Sequence, residues 1–226
     1  MTCEIIATGS KGNAVLLNGK YLFDLGVPFG KLKPHLKNIK VVFLTHIHSD
    51  HFWRDAIYKL HARRPSVLFV CSVNLIVPLC TECGVDPNNV VMVTPGALTK
   101  INFGPESIHI NVFNLVHNVE NVGYVVEVIG GDEQGKAMYA TDTQYIPISA
   151  PGLDLYMVES NYRDADELRE RKERKISQGG FVYEDSVAVS HMSHETVTRW
   201  LEQNAGPHSE VVFLHQHVEK EAEPVG

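Results

Sequence analysis

The stretch LTHIHSDHFWRD, residues 44–55, decides how the rest of the chain is read. Between positions 46 and 51 it gathers four side chains able to bind a metal or move a proton: His46, His48, Asp50 and His51. The apolar run VVFL before it, bounded by polar residues, predicts a buried strand. Side chains two apart in extended structure share a face, so His46 and His48 at that strand's end can chelate one ion together. Asp50 and His51 fall past the bend, at the start of a helix predicted over FWRDAIYKLHARR, where they can face a second ion. Such a layout matches a two-metal site for displacement at phosphorus or carbonyl carbon, with ions ~3.5–4 Å apart. Nitrogen and oxygen ligands without thiolate suit zinc, with manganese or iron as alternatives.

Two ions need ligands from elsewhere, and working outward from residues 44–55 finds them at strand ends. His117 ends INVFNLVH, Asp142 ends AMYATD and His215 ends VVFLH. A His or Asp closing one apolar strand is ordinary; several doing so in a chain with a clustered ligand stretch point to one shared site.

The remaining pattern is of strands in two rounds. CEIIAT, AVLLNG and KYLFDLG read as a meander, with Asn18-Gly19 as a strong hairpin signal. PFGKLKPHLK predicts a short helix. SVLFVC reads as a strand and NLIVPLCTECG as a helix stopped at Gly84. VVMVTP, KINF, SIHINVFNLVH, GYVVEVI and KAMYATD return to strands, with GGDEQG a hairpin loop. LDLYMVESN and EVVFLH are strands, DADELRERKERKI is a highly charged helix, and SHETVTRWLEQN is a helix capped by Ser193. Meander followed by strand and helix alternation, twice over, predicts a layered α/β domain of two packed sheets with helices outside. Residues 1–226 read as a single domain, without linker or repeat.

Composition narrows the function classes. With 27 acidic and 20 basic residues the formal charge is -7, and the sequence pI is near 5.9, so attraction to a long nucleic acid is not written into the overall balance. The four cysteines show no disulfide-framework spacing, and MTCEIIATGS lacks the pattern of a signal peptide, so a cytoplasmic, reduced protein is expected. The most apolar run, VLFVCSVNLIVPLC, is too short and too interrupted to span a membrane.

The THIHSDH stretch resembles the HxHxDH signature of the metallo-β-lactamase superfamily, and His117, Asp142 and His215 follow in the order of that family's remaining ligand motifs. The resemblance extends from the strand carrying Asp24 to His215. It implies an αββα sandwich, two mixed sheets flanked by helices, with the site at one edge between the sheets. It further implies one ion held by His46, His48, His117 and Asp142, and the other by Asp50, His51, Asp142 and His215. Asp142 and a hydroxide would bridge them, Asp50 would count among the catalytic groups, and Asp24 would support the site without binding metal.

The superfamily name spans many reactions, so fold alone does not give function. Asp142 stands where true β-lactamases generally carry a cysteine ligand, and only residues 216–226 follow His215, where glyoxalase II proteins append a helical domain. ATGSKGNAVLL resembles the GSSGN opening of YycJ-type nucleases, and VESNY with SHMSHETV resembles the paired Glu and His motifs of ribonuclease Z and its relatives. By that resemblance Glu159 orients His191 as proton donor to the leaving oxygen, with His194 as the alternative donor, while hydroxide attacks phosphorus between two ions. The compact acidic chain resembles the phage anti-Pycsar phosphodiesterases. That likeness implies two zinc ions, a homodimer, and hydrolysis of 3',5'-cyclic mononucleotides such as cyclic CMP or UMP to nucleoside monophosphates, as phage counter-defence in the host cytoplasm. The alternative is a YycJ- or ribonuclease Z-like nuclease acting on DNA or RNA. A metal scaffold without catalysis, or a flavodiiron protein, fits the ligand set less well.

Cys80-x-x-Cys83 lacks a second pair and reads as packing. The basic cluster Arg169, Arg171, Lys172, Arg174 and Lys175 is either a solvated helix face or a contact to phosphate or a second subunit. SQGGFVYEDS, with Phe181 and Tyr183, is either a lid over a base or a mobile loop. The glycine-containing loop at residues 9–13 is either a plain connection between strands or, as the resemblance implies, a loop beside the site.

Overall fold

In the computed structural model, which describes residues 1–216, the chain lays down one sheet and then the other. β1 (Cys3–Ala7), β2 (Ala14–Leu17), β3 (Tyr21–Phe23), β4 (Val41–Phe43), β5 (Leu68–Cys71) and β6 (Val90–Met92) pair in chain order. β7 (Leu98–Phe103), β8 (Glu106–Leu115), β9 (Asn121–Ile129), β10 (Gly135–Ala140), β11 (Leu155–Glu159) and β12 (Glu210–Leu214) form the second sheet, also in chain order. Each sheet is mixed. β1 to β3 are antiparallel and β3 to β6 parallel, while β7 to β10 are antiparallel and β10 to β12 parallel.

Strand alternation sorts the apolar runs into layers. Tyr21, Phe23, Val41 and Phe43 point between the sheets, where they meet Ile110, Tyr124, Tyr139 and Met157. Their neighbours Leu22, Val42 and Leu44 point outward against Ala56, Ile57 and Leu60 of α1 (Arg54–Arg63). On the far side Met138, Tyr156 and Val158 meet Val197 and Leu201 of α5 (His194–Asn204). β2, β3, β4 and β11 are therefore dry on both faces, which is why they read as continuous apolar runs. The result is the expected αββα order, the metallo-β-lactamase sandwich.

Local expectations hold where the signal is chemical. Asn18 and Gly19 both take positive φ in the β2–β3 hairpin, at 51° and 63°. Asp164 and Ser193 cap α3 (Ala165–Ser177) and α5 through their side chains, and Gly84, φ 64°, follows the π-helical turn Pro78–Glu82 that extends α2 (Val73–Val77).

Others need correction. PFGKLKPHLK forms a single 3-10 turn, Phe29–Leu32, followed by turns; Pro34 lacks the N–H that a continuing helix would use. His46 and His48 are not on the strand, which ends at Phe43, and Asp50 and His51 lie in a turn ahead of α1 rather than in its first turn. α4 (Glu184–Ser190) occupies part of the segment read as a lid or loop. Five of its seven residues are half-buried or exposed, so no apolar stripe announces it. The charged helix α3 holds it in place: Lys172 pairs with Asp185 at 2.6 Å and Lys175 with Glu184 at 2.6 Å.

Candidate metal centre

The parallel strands of both sheets end at one edge of the sandwich, and the chemistry is there. Asp24 follows β3, the 44–51 turn follows β4, Asp142 follows β10, Glu159 ends β11 and His215 follows β12. Among the described residues four non-glycine positions have φ near +55°; besides the hairpin Asn18 they are Asp24, Asp142 and His215. A left-handed L-residue costs on the order of 1–3 kcal/mol and persists where surroundings over-determine it. Three such turns at three strand ends each aim a polar side chain at the same edge. At Asp142 the clamp is visible: the Asn121 amide donates to the Thr141 carbonyl at 2.9 Å and to the Asp142 carbonyl at 2.8 Å.

Asp24 is fully buried and organises the histidines without reaching the centre. Its Oδ1 accepts from the Thr45 amide at 3.0 Å and the Thr45 hydroxyl at 2.9 Å; its Oδ2 accepts from Tyr139 at 2.9 Å and from His51 Nδ1 at 2.7 Å. The Thr45 hydroxyl, having given its proton to Asp24, accepts from His46 Nδ1 at 3.0 Å. His117 Nδ1 donates to the Ser190 carbonyl at 3.2 Å. In its neutral form each of these rings thus has its proton on Nδ1 and a lone pair on Nε2, the state in which imidazole binds metal.

Those lone pairs converge. His46 Nε2 and His117 Nε2 lie 3.1 and 3.2 Å from His48 Nδ1, and with Asp142 the three histidines put ligand atoms within 4.8 Å of one another. The His48 ring can bring at most one proton to this gathering of nitrogens, so its electron-rich chemistry suits a cation. Asp50, His51 and Asp142 form a second group, and Asp142, Glu159, His191 and His215 a third. Asp142 belongs to all three because its two oxygens divide the work. Oδ1 is 3.3 Å from His51 Nε2 and 3.2 Å from His215 Nδ1, whereas Oδ2 is 3.9 Å from His46 Nε2 and 4.0 Å from His117 Nε2. One carboxylate facing two ligand groups is the arrangement a bridging ligand requires.

Burial and charge set the protonation. Burial, with His51 beside it, pushes His46 well below its usual range, and burial pushes His117 down, so both stay neutral. Burial opposes ionisation of Asp142, yet His51 and His215 hold its carboxyl well below the carboxylate range. Burial likewise opposes protonation of His51 and His215, but Asp142, together with Asp24 beside His51 and Glu159 beside His215, outweighs it and raises both.

Glu159 stands on the other side. Its Oε2 accepts from the Thr143 amide at 2.8 Å, and its Oε1 meets His191 Nδ1 at 2.5 Å and His215 Nδ1 at 3.0 Å. Burial disfavours its charge, but the neighbouring His191 and His215 hold it ionised. His191 is half-buried and leaves Nε2 for another partner.

The structure therefore brings His46, His48, Asp50, His51, His117, Asp142, Glu159, His191 and His215 to one edge. His215 sits nearer Glu159 and His191 than the Asp50–His51 group, and its Nε2 is buried without a hydrogen-bond partner. His194 is exposed and bonded to Ser160 Oγ at 3.1 Å, outside the ligand groups. The 9–13 loop does border the site: Asn13 Nδ2 lies 2.8 Å from His51 Nε2 while its Oδ1 accepts from the Gly9 amide at 2.8 Å. Thr45, Asn121 and Thr143 carry no sequence signal, because their work is to hold other groups through hydrogen bonds that only the fold brings together.

The model of the beta-lactamase superfamily domain matches residues 21–216. No curated protein matches the chain by sequence. Among solved structures, the metallo-beta-lactamase fold protein YhfI from Bacillus subtilis is similar at a TM-score of 0.64 and 18% identity, covering 96% of this chain and 87% of that one. Unliganded yeast PDE1 is similar at 0.61 and 10%, covering 98% and 90%. A long form RNase Z from yeast is similar at 0.60 and 11%, with 98% of this chain matching 38% of that one. At these identities the likeness is one of fold.

Proposed function

The chain belongs to the beta-lactamase superfamily, and from that premise we propose that it is a dinuclear metal-dependent phosphodiesterase that hydrolyses 3',5'-cyclic mononucleotides to nucleoside monophosphates. The observation that carries this is the Glu159–His191 pair, 2.5 Å apart, set against the ligand groups through Asp142 and His215. A site for attack alone needs ligands; a ring held at Nδ1 by a buried carboxylate adds a proton donor for an alkoxide leaving group. Yeast PDE1 and RNase Z, a phosphodiesterase and a ribonuclease by name, share the fold and are consistent with it.

His46, His48, His117 and Asp142 would hold one zinc or manganese ion, and Asp50, His51, Asp142 and His215 the other. When bound, such ions supply hydroxide at neutral pH and absorb charge on the phosphoryl oxygens. The chain's own residues do the rest. Thr45, Asp24 and the Ser190 carbonyl hold Nδ1 of His46, His51 and His117, so that Nε2 of each faces the centre, and Asp142 stays ionised between the two groups. Glu159, kept ionised by its neighbours, holds the His191 ring so that protonated Nε2 gives its proton to the departing oxygen while Nδ1–H stays on the carboxylate.

The net charge of -7 favours a small substrate over a long polyanion. We read the protein as a cytoplasmic phage counter-defence enzyme acting on cyclic CMP or UMP. No described helix is long and apolar enough to cross a membrane. Exposed Ile176, Phe181 and Val189 around α3 and α4 support a homodimer. The test is metal-dependent turnover of a panel of 3',5'-cyclic nucleotides beside short single-stranded RNA and DNA, with a chelator control. Cleavage of the oligonucleotides alone would replace this reading with a nuclease.

A further inference from the structure

A groove of about 530 Å³ shares Asp50 with the metal centre. Its walls are the Ser10 and Lys11 tip of the 9–13 loop on one side and Ser49, Phe52, Trp53, Arg54 and Asp55 on the other, with Asp55 paired to Lys59. The size falls within the range of small-ligand sites. Phe52 is fully buried, whereas Trp53 shows 38% of its surface to solvent.

Both walls are anchored to the backbone that carries the ligands. The Trp53 amide donates to the Leu25 carbonyl at 2.8 Å, one residue after Asp24, and the Leu25 amide to the His51 carbonyl at 2.9 Å. Across the groove the Asn13 amide donates to the Asp50 carbonyl at 2.7 Å, and the Gly26 amide to the Asn13 carbonyl at 2.9 Å. A Cβ at Gly26 would lie 1.6 Å from the Asp50 carbonyl oxygen, so only glycine permits this contact. An indole exposed on such a backbone is a rigid flat surface, available at little entropic cost. Among the described residues the Lys11 ammonium pairs with no carboxylate, while Arg54 is engaged by Glu82. A second groove, beside Glu159, includes Arg171, but Glu167 already holds that guanidinium.

We propose that the Trp53 groove is the nucleobase subsite of the phosphodiesterase: the base stacks on the indole, the Ser10 and Ser49 hydroxyls meet its edge, and Lys11 faces the phosphate and ribose side. This rests on the reading of the metal centre as a nucleotide phosphodiesterase. Every base offers a flat π-face, so Trp53 supplies affinity for nucleotides as a class, and the serines supply any preference among bases.

The protein has two tryptophans, and Trp200 is held away, its Nε1 donating to the Ile148 carbonyl at 2.9 Å and its ring against Tyr156. Quenching of tryptophan fluorescence therefore reports on Trp53. In metal-loaded protein, cytidine and adenosine 5'-monophosphates should quench saturably, ribose 5-phosphate should not, and the nucleotide quench should vanish in Trp53→Phe. A quench that persists in Trp53→Phe, or that ribose 5-phosphate reproduces, overturns the subsite. In turnover of cyclic nucleotides, Trp53→Ala should raise KM on the order of tenfold or more while kcat changes less than about threefold, and Trp53→Tyr should restore most of the KM. Wild-type turnover with unchanged KM in Trp53→Ala would sink the subsite and leave the phosphodiesterase standing. Trp53-dependent nucleotide quenching without hydrolysis of any cyclic nucleotide would do the reverse.

Discussion

Carboxylates are buried at both ends of the sandwich, and the two ends treat them in opposite ways. Glu106, at the start of β8, lies at the edge away from the metal centre, where β3 and β4 begin. Its Oε1 accepts from Tyr21 at 2.8 Å and Lys40 at 2.9 Å, and its Oε2 from Lys20 at 2.7 Å. Burial opposes its charge, but those three donors bring its pKa down to about 2. It ties one sheet to the other, and the protein itself supplies the countercharge. At the opposite edge Asp142 is surrounded by imidazoles whose protons are mostly turned away toward Asp24, Thr45 and Ser190. The first arrangement is complete as protein. The second concentrates lone pairs and negative charge, which is costly to bury unless a cation joins it.

That contrast can be broken from either end. The largest effect is expected from Asp142→Ala, which removes the group common to all three ligand clusters. Activity should fall on the order of 10⁴-fold, and metal analysis of the purified protein should show less than the full complement. Full metal content in that variant would deny the carboxylate its bridging role. Next comes His191→Ala, for which kcat should fall roughly a hundred- to a thousandfold with metal content unchanged; equal loss of metal would make the residue a ligand rather than a donor. Asp24→Asn should weaken metal affinity by about 10–100-fold, read by competition with a chromogenic chelator, because it disturbs the His51 proton and the Thr45–His46 relay without touching the centre.

Glu106→Gln is expected to leave metal content and turnover per folded molecule alone and to lower stability by about 1–2 kcal/mol in urea unfolding. The value is modest because the Lys20 and Lys40 side chains keep 32% and 35% of their exposure, so solvent screens the pairs. The sign in pH follows from the lowered value. Glu106 contributes fully above its ordinary 4.5, and the contribution is lost as pH falls toward about 2. The variant should therefore lose less stability than the wild type across that window. Identical acid-unfolding profiles would show that Glu106 does not hold this end.

How far the sequence alone reaches differs between the same two ends. Apolar alternation, the Asn18-Gly19 hairpin and the caps at Asp164 and Ser193 act over a few neighbours, so the strands and helices built on them are legible. The 44–51 stretch is legible because it crowds ligand-type groups into one turn, and His117, Asp142 and His215 because each ends an apolar run. The Glu106 cluster carries no such mark: its members stand at positions 20, 21, 40 and 106, and each is an unremarkable residue where it occurs.

By itself, then, the sequence determined two packed sheets with helices outside and a set of candidate ligands, while the αββα order and the pairing of Glu159 with His191 were implied by family resemblance. Only the tertiary structure decided that Asp142 turns one oxygen to each ligand group, that His215 leans toward Glu159, and that Trp53 faces a groove beside Asp50. Those outcomes depend on left-handed turns at strand ends and on contacts between segments far apart in the chain, such as Asn121 with Asp142 and Gly26 with Asp50. Periodicity and local propensity report what a residue does with its near neighbours; the direction in which a side chain finally points is set by packing across the sandwich.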